Sequence, residues 1–298
     1  MKFEYHQPDS VEGVIALLTR YGPDVALLAG GTALLIDMQN SERSPGHLIS
    51  LWGIPGLANV HVNGGVRVGA LATITDLAEA VSSHQSLRGL LEAAWLLGGR
   101  QVQNMATVGG NICKASPGAD MVPPLLCLDA TLTLVGPNGE RMTPLDGFLT
   151  GPDQTAIQPG EVLTEITVPA VASRSGTAFL KVMRRHAVDC SIVAIACRVT
   201  LADIPDRSPR PVRCSEIRIA IGAAAPNPFR SKRAEAVLTG QPLEPDRVQE
   251  AARQAREASQ PISDIRASAD YRRMLVETLV ERAVLRAAER AAQGGDRR

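Results

Sequence analysis

Apolar residues near the start of the chain recur at helical spacing and are followed by a continuous apolar run. A helix is predicted over residues 10–21, with Asp9 and Ser10 as capping residues and apolar positions at Val11, Val14, Ile15, Leu17 and Leu18. The run VALLAGG, residues 25–31, predicts a buried strand that ends in glycine. A further helix is expected over residues 32–39, with Thr32 as its cap.

The middle of the chain alternates between short apolar runs and helical spacing. Strands are predicted over residues 48–51, 60–62, 66–71, 131–135 and 162–168. Gly64-Gly65 and Pro137-Asn138-Gly139 are typical hairpin turns at the ends of two of these strands. Helical spacing occurs over residues 75–81 and 87–97, whereas residues 102–120 are rich in small side chains and lack a clear period.

The last part of the chain predicts strands first and helices afterwards. Residues 170–177 are polar and typical of a linker, and strand-like runs follow at 178–184, 191–201 and 216–224. A Pro-rich piece at 204–211 joins the last two runs. Helices are predicted near residues 231–238, 245–258 and 269–292, and residues 293–298 predict a frayed tail. This order predicts an α+β fold with a first part up to about residue 175.

The charge balance argues against a dedicated nucleic-acid-binding protein. Lys and Arg number 31, Asp and Glu number 31, and aromatic residues make up only 3% of the chain, which leaves little material for stacking on bases. Lysine is rare: four residues in all, namely Lys2, Lys114, Lys181 and Lys232. Each of them therefore stands out as a candidate for a specific role.

Neither a membrane segment nor a metal site is predicted. The longest uncharged apolar stretch, residues 25–36, is much shorter than the ~20 residues that a transmembrane helix needs. The first ten residues lack the apolar core of a signal peptide, so a cytoplasmic location is expected. The five cysteines are dispersed and never spaced as CxxC, which argues against a disulfide framework, a zinc site or an iron–sulfur site: Cys113, Cys127, Cys190, Cys197 and Cys214.

Two Gly-Gly sites are candidates for binding a phosphate or diphosphate. They occur in AGGTALL, residues 29–35, and in ATVGGN, residues 106–111. Glycine lets main-chain N–H groups approach a ligand closely, although a single Gly-Gly turn more often only ends a strand. The chain contains neither Gly-x-Gly nor Gly-Lys, which excludes the Rossmann fingerprint and the Walker A loop.

Three sequence blocks resemble a known family. AGGTALL, QVQNMATVGGNICKASPGAD and FLKVMRRHAVD, in this order, resemble the FAD-binding subunit or domain of the xanthine dehydrogenase and carbon monoxide dehydrogenase family, the molybdenum hydroxylases. DYRRMLVETLVERAV, residues 270–284, resembles that family's C-terminal helix. The resemblance extends over nearly the whole chain, and the combination of two Gly-Gly blocks about 80 residues apart is specific.

This resemblance implies a fold and a domain organisation. We expect an FAD-binding fold of the vanillyl-alcohol-oxidase type over residues 1–175, in two subdomains at about 1–58 and 59–175. A C-terminal domain of a three-stranded sheet and a three-helix bundle is expected over residues 176–292. The strands and helices predicted from the sequence pattern of the last part agree with this expectation.

The resemblance also assigns residues to FAD. Two loops would hold the diphosphate, the first made of Ala29, Gly30, Gly31, Thr32, Ala33 and Leu34 and the second of Thr107, Gly109, Gly110 and Asn111. Main-chain N–H groups and the Thr32 hydroxyl suit phosphate oxygens. Ser116 and Asp120 resemble polar contacts to the ribityl chain. Asp120 has an alternative, compatible role as the N-cap of a helix before Pro123-Pro124.

Near the flavin ring the resemblance implies Val162, Leu163 and Lys181. Both apolar residues are also ordinary strand-core residues. A cation about 5 Å from the reduced flavin at an effective dielectric near 20 would favour it by roughly 3 kcal/mol. The alternative for Lys181 is a solvated strand residue, which is the commonest environment of lysine.

The chain departs from the family pattern at two positions. Leu97 stands where an aromatic residue often lies over the flavin, and Gln103 stands where an arginine often precedes the asparagine. Arg184, Arg185 and Asp189 match the third block, where an Arg–Asp pair is also explained by structure alone.

An oxidoreductase flavoprotein that works inside a complex is thus implied. A molybdopterin-binding large subunit and a small subunit with [2Fe-2S] clusters would be its partners, as a dimer of heterotrimers, with NAD⁺, a quinone or O₂ as acceptor. The flavin itself carries the chemistry, so no catalytic residue is assigned. Two alternatives are a free-standing FAD-dependent reductase of the same fold class and a non-catalytic assembly subunit.

Overall fold

The N-terminal part of the chain forms a small parallel sheet. The computed structural model describes residues 2–185, 188–202 and 213–294, so the Pro-rich piece and the last four residues lie outside the described part. The strand order is β1-β3-β2, with β1 (Glu4–His6), β2 (Val25–Leu28) and β3 (His47–Ser50). The helix α1 (Val11–Tyr21) begins after Ser10, whose side chain accepts a hydrogen bond from the Gly13 N–H, as the sequence predicts.

The second helix of this part, α2 (Leu34–Gln39), begins two residues later than predicted. Its N-cap is Ala33, which makes no side-chain capping bond, so the prediction that Thr32 caps this helix is wrong. Gly31 adopts a φ of +71°, and this left-handed turn delays the helix. The Thr32 hydroxyl is therefore not committed to a cap.

A five-stranded antiparallel sheet follows, in the order β4-β5-β10-β6-β7. Its strands are β4 (Val60–Val62), β5 (Val66–Gly69), β6 (Thr131–Gly136), β7 (Gly139–Pro144) and β10 (Val162–Val168). The short strands β8 (Leu149–Gly151) and β9 (Gln154–Thr155) form a separate hairpin. A large apolar core forms between this sheet and the helices that connect β5 to β6.

Five helices lie between β5 and β6 in sequence: α3 (Ile74–Val81), α4 (Arg88–Leu96), α5 (Arg100–Gln103), α6 (Val108–Cys113) and α7 (Val122–Cys127). A capping box formed by Thr73 and Asp76 starts α3. The region without clear sequence periodicity, residues 102–120, thus contains the end of the four-residue helix α5 and the six-residue helix α6, which are too short to produce a helical pattern.

The C-terminal part contains a second antiparallel sheet covered by helices. The strands β11 (Ser175–Val182), β12 (Val193–Leu201) and β13 (Cys214–Gly222) pair in order. A two-residue strand β14 (Phe229–Arg230) pairs with β13, so the sheet has four strands and not the predicted three. Three helices follow: α8 (Lys232–Leu238), α9 (Pro245–Ala258) and α10 (Ala269–Ala292). The α+β architecture and the order of strands and helices confirm the predicted fold class.

The first of these strands begins earlier than predicted, because polar residues assigned to a linker are buried in the sheet. Ser175 shares a hydrogen bond of 2.8 Å with Thr200 on β12, and the Thr177 hydroxyl donates to the Ser86 carbonyl at 2.9 Å. A side chain at Gly176 would overlap the main chain of α10 at Ala287. Close packing against α10 and satisfied hydroxyls therefore hold this polar segment as a strand.

Charged side chains connect the two parts of the molecule. Glu92 on α4 accepts from the Phe179 N–H at 2.9 Å and pairs with Arg290 on α10 at 2.5 Å. Asp129, which follows α7, accepts hydrogen bonds from three arginines of the C-terminal part: Arg198, Arg218 and Arg230. These bonds, together with the apolar contacts of the C-terminal sheet with α4 and α7, fix the two parts against each other.

Candidate flavin site

The first glycine loop, residues 29–34, connects the end of β2 to α2 and exposes main-chain donors. Among the residues that the structure describes, the N–H groups of 30–34 donate to no protein acceptor. Gly31 adopts the left-handed conformation, with a φ of +71°. This conformation occurs in the anion-binding nests that successive main-chain N–H groups form. Trp52 fixes the loop from the other side, since its indole N–H donates to the Ala29 carbonyl at 2.7 Å.

Gly30 lies directly against the segment that leads into the second Gly-Gly site. A Cβ atom at Gly30 would overlap the carbonyl oxygen of Met105 and lie 3.0 Å from the Cα of Ala106. Only glycine allows two main chains to approach this closely. The two glycine loops are therefore neighbours in space.

The second glycine loop, residues 107–111, uses its donors inside the protein. Thr107 caps α6 and accepts from the Gly110 N–H at 3.0 Å, while the N–H groups of Val108 and Gly109 donate to the carbonyls of Ala72 and Ala70. A Cβ atom at Gly109 would lie 2.6 Å from the Ala70 oxygen. The glycine here permits close packing and does not leave free N–H groups. The second loop was expected to hold the diphosphate, but the N–H groups of residues 108–111 donate within the protein.

The two loops face each other and are braced by a lysine. A Cβ atom at Gly110 would lie 3.9 Å from the Cβ of Ala29. Lys114, directly after α6, pairs with Asp37 on α2 at 2.8 Å and with Asp153 at 3.0 Å. Burial opposes the charge of Lys114, but the hydrogen bonds to both carboxylates outweigh it and raise its pKa. The brace holds α2 against α6.

A buried ion pair joins Asp120 to Lys181. Nζ of Lys181 lies 2.7 Å from Oδ2 of Asp120 and donates to the Leu96 carbonyl at 3.0 Å, and its side chain is fully buried. The Ser191 hydroxyl donates to Oδ1 of Asp120 at 2.7 Å. Burial raises the pKa of the Asp120 carboxyl, against the opposing effects of Lys181 and Ser191.

This pair overturns two of the sequence alternatives. The N-cap of α7 is Met121, without a side-chain capping bond, so the interpretation of Asp120 as an N-cap is wrong. The alternative of a solvated Lys181 is also wrong, because the lysine points away from α10 toward α4 and the Asp120 loop. Its neighbours Leu180 and Val182 point to the opposite face of β11 and pack against the C-terminal core.

The remaining predicted site residues lie around the same part of the structure. Asn111 uses its side-chain oxygen to accept from the Met121 N–H at 3.2 Å. Ser116 accepts from the Gly118 N–H at 3.3 Å and is half-buried. Val162 and Leu163 are buried in two different cores, that of the N-terminal subdomain and that of the large sheet. Both are strand-core residues, as one interpretation of the sequence holds.

The positions that depart from the family pattern have structural roles. Leu97 is buried, and the Gln103 side-chain amide donates to the carbonyls of Trp95 and Leu97, both at 3.1 Å. Gln103 thus fixes the turn next to the Leu96 carbonyl, which accepts a hydrogen bond from Lys181. In the third block, Nε of Arg185 lies 3.6 Å from Oδ2 of Asp189. His186 and Ala187 of the same block lie outside the described residues.

Sequence reasoning missed several residues of this site. Ser191, Trp52 and Asp37 support Asp120, Ala29 and Lys114, but each comes from a distant part of the chain and has no motif of its own. The rarity of lysine was the only available signal, since it drew attention to Lys114 and Lys181.

A separate cavity lies on the other face of β11. It measures about 480 Å³ and is lined by Leu180, Lys181, Val182, Leu279, Arg282, Leu285 and Arg286. It shares no residue with either glycine loop. Because the Lys181 side chain points the other way, this cavity does not belong to the candidate site.

The family models match both parts of the chain. Residues 1–171 match the FAD binding domain in molybdopterin dehydrogenase, and residues 178–287 match the CO dehydrogenase flavoprotein C-terminal domain. The chain therefore belongs to the family of FAD-binding flavoprotein subunits of molybdopterin dehydrogenases, and it is an oxidoreductase subunit. The predicted family and the FAD cofactor are confirmed.

Individual relatives are similar over almost their whole length. The carbon monoxide dehydrogenase medium chain of Hydrogenophaga pseudoflava is 36% identical over 98% of this chain and 99% of its own. The xanthine dehydrogenase FAD-binding subunit of Escherichia coli O157:H7 is 31% identical over 98% of this chain and 97% of its own.

Solved structures show the same similarity. The carbon monoxide dehydrogenase from Hydrogenophaga pseudoflava superposes with a TM-score of 0.90 at 36% identity, over 97% of this chain and 98% of that chain. Quinoline 2-oxidoreductase from Pseudomonas putida 86 superposes with a TM-score of 0.86 at 28% identity, over 98% of both chains. In the described part of this chain, none of the helices combines the length and apolarity that crossing a membrane requires.

Proposed function

We propose that this chain is the FAD-carrying electron-transfer subunit of a multi-subunit molybdenum hydroxylase. In this proposal it takes electrons from the [2Fe-2S] clusters of a partner subunit and passes them to NAD⁺, a quinone or O₂. Its similarity to a medium chain and to an FAD-binding subunit over nearly the whole length supports this role. The observation that carries the proposal is the contact between two glycine loops, one of which keeps its N–H donors free.

The first glycine loop is proposed to bind the FAD diphosphate. Donors for phosphate oxygens are the N–H groups of Gly30, Gly31, Thr32, Ala33 and Leu34 together with the Thr32 hydroxyl, while Ala29 anchors the loop. FAD supplies the redox chemistry when it is bound, and the protein contributes binding, orientation and electrostatics.

The second glycine loop is proposed as the opposite wall of the same cleft. Thr107, Gly109 and Gly110 shape this wall through close packing, and the amide nitrogen of Asn111 is the group that can donate to a ligand. Ser116 and Asp120 remain candidates for the ribityl chain, because each Asp120 oxygen retains a lone pair besides the one used in its protein hydrogen bond.

The flavin ring is proposed to lie on the side of Val162, Leu163 and Lys181. Because the Asp120 carboxylate lies 2.7 Å from the Lys181 ammonium group, its negative charge cancels most of the electrostatic effect of Lys181 on groups further away. Lys181 therefore favours a negatively charged flavin by less than the roughly 3 kcal/mol expected of an isolated cation. Its main contribution is to hold Asp120 and the Leu96 carbonyl in fixed positions.

The wider assembly and the domain boundaries follow from the same proposal. We propose a molybdopterin-binding large subunit and a [2Fe-2S] small subunit as partners, a dimer of heterotrimers and a cytoplasmic location. The chain is proposed to divide into an FAD-binding domain over residues 1–175, with subdomains at about 1–58 and 59–175, and a C-terminal domain over 176–292. The separate sheets of these segments support the division.

Purification of the complex from its native source tests the function. We expect FAD in this chain, with companion chains that carry molybdopterin and [2Fe-2S] clusters. Activity of this chain alone with NADPH would instead support a free-standing reductase. A colourless chain that does not take up FAD would support the assembly subunit.

The glycine loop is tested by Gly30→Ala. We expect the complex to lose FAD, because the added Cβ displaces the first loop from Met105. Gly151→Ala is the matched control, since its Cβ would meet only the flexible side chain of Gln154. Flavin content per chain is the measurement, and normal FAD content in Gly30→Ala would contradict the proposed site.

A further inference from the structure

A cluster of polar side chains outside the flavin site lies on the neighbouring strands β1 and β3 of the N-terminal sheet. Glu4 and His6 lie two residues apart on β1 and therefore project from the same face. His47 begins β3 and pairs in parallel register with both Glu4 and Val25. Val25 is the first residue of β2, and the first glycine loop follows the last residue of that strand. Glu4 and His47 therefore lie at the end of the sheet opposite to the first glycine loop, and His6 lies two residues further along β1.

The three side chains bring their ligand atoms to one point. Nε2 of His6 lies 3.0 Å from Nδ1 of His47, and Oε2 of Glu4 lies 3.5 Å from Nδ1 of His47 and 3.9 Å from Nε2 of His6. A circle through three atoms at these separations has a radius of about 2.0 Å, which equals the bond length of zinc to imidazole nitrogen or carboxylate oxygen. One ion can therefore contact all three atoms with little movement.

The donor set suits a transition metal. Two imidazoles and one carboxylate form the ligand set of zinc sites that retain an open coordination position. The imidazoles are mostly buried, whereas the Glu4 side chain is 71% exposed, so one side of the cluster is open for metal entry. Among the residues that the structure describes, this is the one group of three such ligands within 4.8 Å of each other.

Neighbouring aromatic rings hold the histidines in place. Tyr21 stacks on His47 with the ring centroids 3.7 Å apart and on His6 with the centroids 5.3 Å apart. Stacking on Tyr21 restrains the orientation of both imidazoles, and their Nε2 and Nδ1 atoms face each other at 3.0 Å. Arg20 lies over the Tyr21 ring, 5.1 Å from its centroid, and makes no ion pair with Glu4 within the described part of the chain.

We propose that Glu4, His6 and His47 bind one divalent transition-metal ion, with Zn²⁺ the best match. The ion replaces the hydrogen bond between the two histidines, links β1 to β3 and keeps a fourth position for water. The proposal is independent of the flavin site and of the proposed function.

This site is tested by isothermal titration calorimetry, in which Zn²⁺ alone is added to the metal-free full chain. We expect one Zn²⁺ per chain in the wild type. His6→Gln and His47→Gln each remove a direct ligand, so the affinity should fall by at least about tenfold, the lower end of what loss of an outer-shell partner causes. Glu4→Gln lies at the exposed edge and should weaken binding without affecting the fold.

A matched control and a spectrum make the result decisive. His61→Gln alters an exposed histidine on β4 outside the cluster and should leave Zn²⁺ binding unchanged. Co²⁺ in place of Zn²⁺ should give the intense visible bands of a four-coordinate site in the wild type and lose them in Glu4→Gln. Absence of Zn²⁺ binding in the wild type, or equal affinity in the wild type and the Glu4 variant, would overturn the proposal.

Discussion

The two glycine loops have similar sequences and opposite uses of their main chains. In the first, the N–H groups of residues 30–34 have no protein acceptor within the described residues, and Gly31 takes a left-handed conformation. In the second, Thr107 caps a helix and every N–H group from 108 to 111 donates within the protein. A Gly-Gly pair therefore indicates either free donors or close packing, and only the partners of its N–H groups distinguish the two.

Beyond the second loop, the internal use of polar groups continues as far as Asp120. Both carboxylate oxygens accept from protein donors, Lys181 and Ser191. The first loop thus offers main-chain N–H donors to a ligand, whereas the N–H groups of 108–111 are used within the protein and only side chains of the segment from 107 to 120 retain binding capacity. The following variants separate these two kinds of region.

The largest effect is expected from Lys181→Met. The substitution leaves the buried Asp120 carboxylate without its cation, and removal of one partner of a buried pair costs about 3–5 kcal/mol. The measurement is the free energy of unfolding from urea titration. Lys232→Met is the control, because its pair with Asp146 is exposed and surface pairs contribute at most about 1 kcal/mol.

A double variant distinguishes the pair from either residue alone. Asp120→Asn combined with Lys181→Met should recover part of the lost stability, because no unpaired charge remains in the interior. Additive losses in the double variant would mean that Asp120 and Lys181 act independently.

A smaller loss is expected from Gly109→Ala. The new Cβ would contact the main chain of Ala70 at 2.6 to 2.9 Å, and overpacking of this kind costs about 1–3 kcal/mol. Thermal unfolding of the FAD-free chain measures this loss of stability, with Gly151→Ala as the control. An unchanged melting temperature would show that the second loop is not held by close packing.

The two threonines provide the most direct comparison of the loops. Thr107→Val removes a helix cap and should lower the free energy of unfolding by about 1 kcal/mol. Thr32→Val removes a hydroxyl without a protein partner in the described residues, so stability should be unchanged while FAD affinity falls by up to about tenfold. Urea unfolding and FAD titration of both variants measure this difference. Equal changes in stability and in FAD affinity for the two variants would contradict the different roles of the two loops.

The smallest expected effect is a pH dependence from Asp120. Because burial raises its folded pKa above the unfolded value of about 3.9, the folded state binds the proton more tightly. Stability should therefore decrease as pH rises from the unfolded pKa through the folded pKa and become constant above it. Asp120→Asn should flatten this part of the stability curve, and an identical slope in both proteins would contradict the assignment.

Much of the fold was predictable because its signals are local. The helices Pro245–Ala258 and Ala269–Ala292 and the strand Val162–Val168 were predicted at their observed bounds, since apolar spacing or alternation extends over their whole length. The polar start of β11 was not predictable, because Ser175 and Thr177 are buried only through partners distant in sequence.

The candidate site was predictable in its residues and not in their interactions. Two Gly-Gly blocks and four lysines identify the relevant positions in the sequence alone. Nothing in the sequence indicates that Lys181 meets Asp120 or that Gly30 lies against Met105. Such contacts join positions about 60 to 75 residues apart.

The sequence by itself determined the family, the α+β class and the positions of the glycine loops, because these depend on local patterns and residue types. The tertiary structure decided which main-chain donors stay free, where Lys181 is neutralised and which histidines meet Glu4. The physical reason is that hydrogen bonds and ion pairs at about 3 Å depend on how distant segments pack, and a linear pattern does not encode that distance.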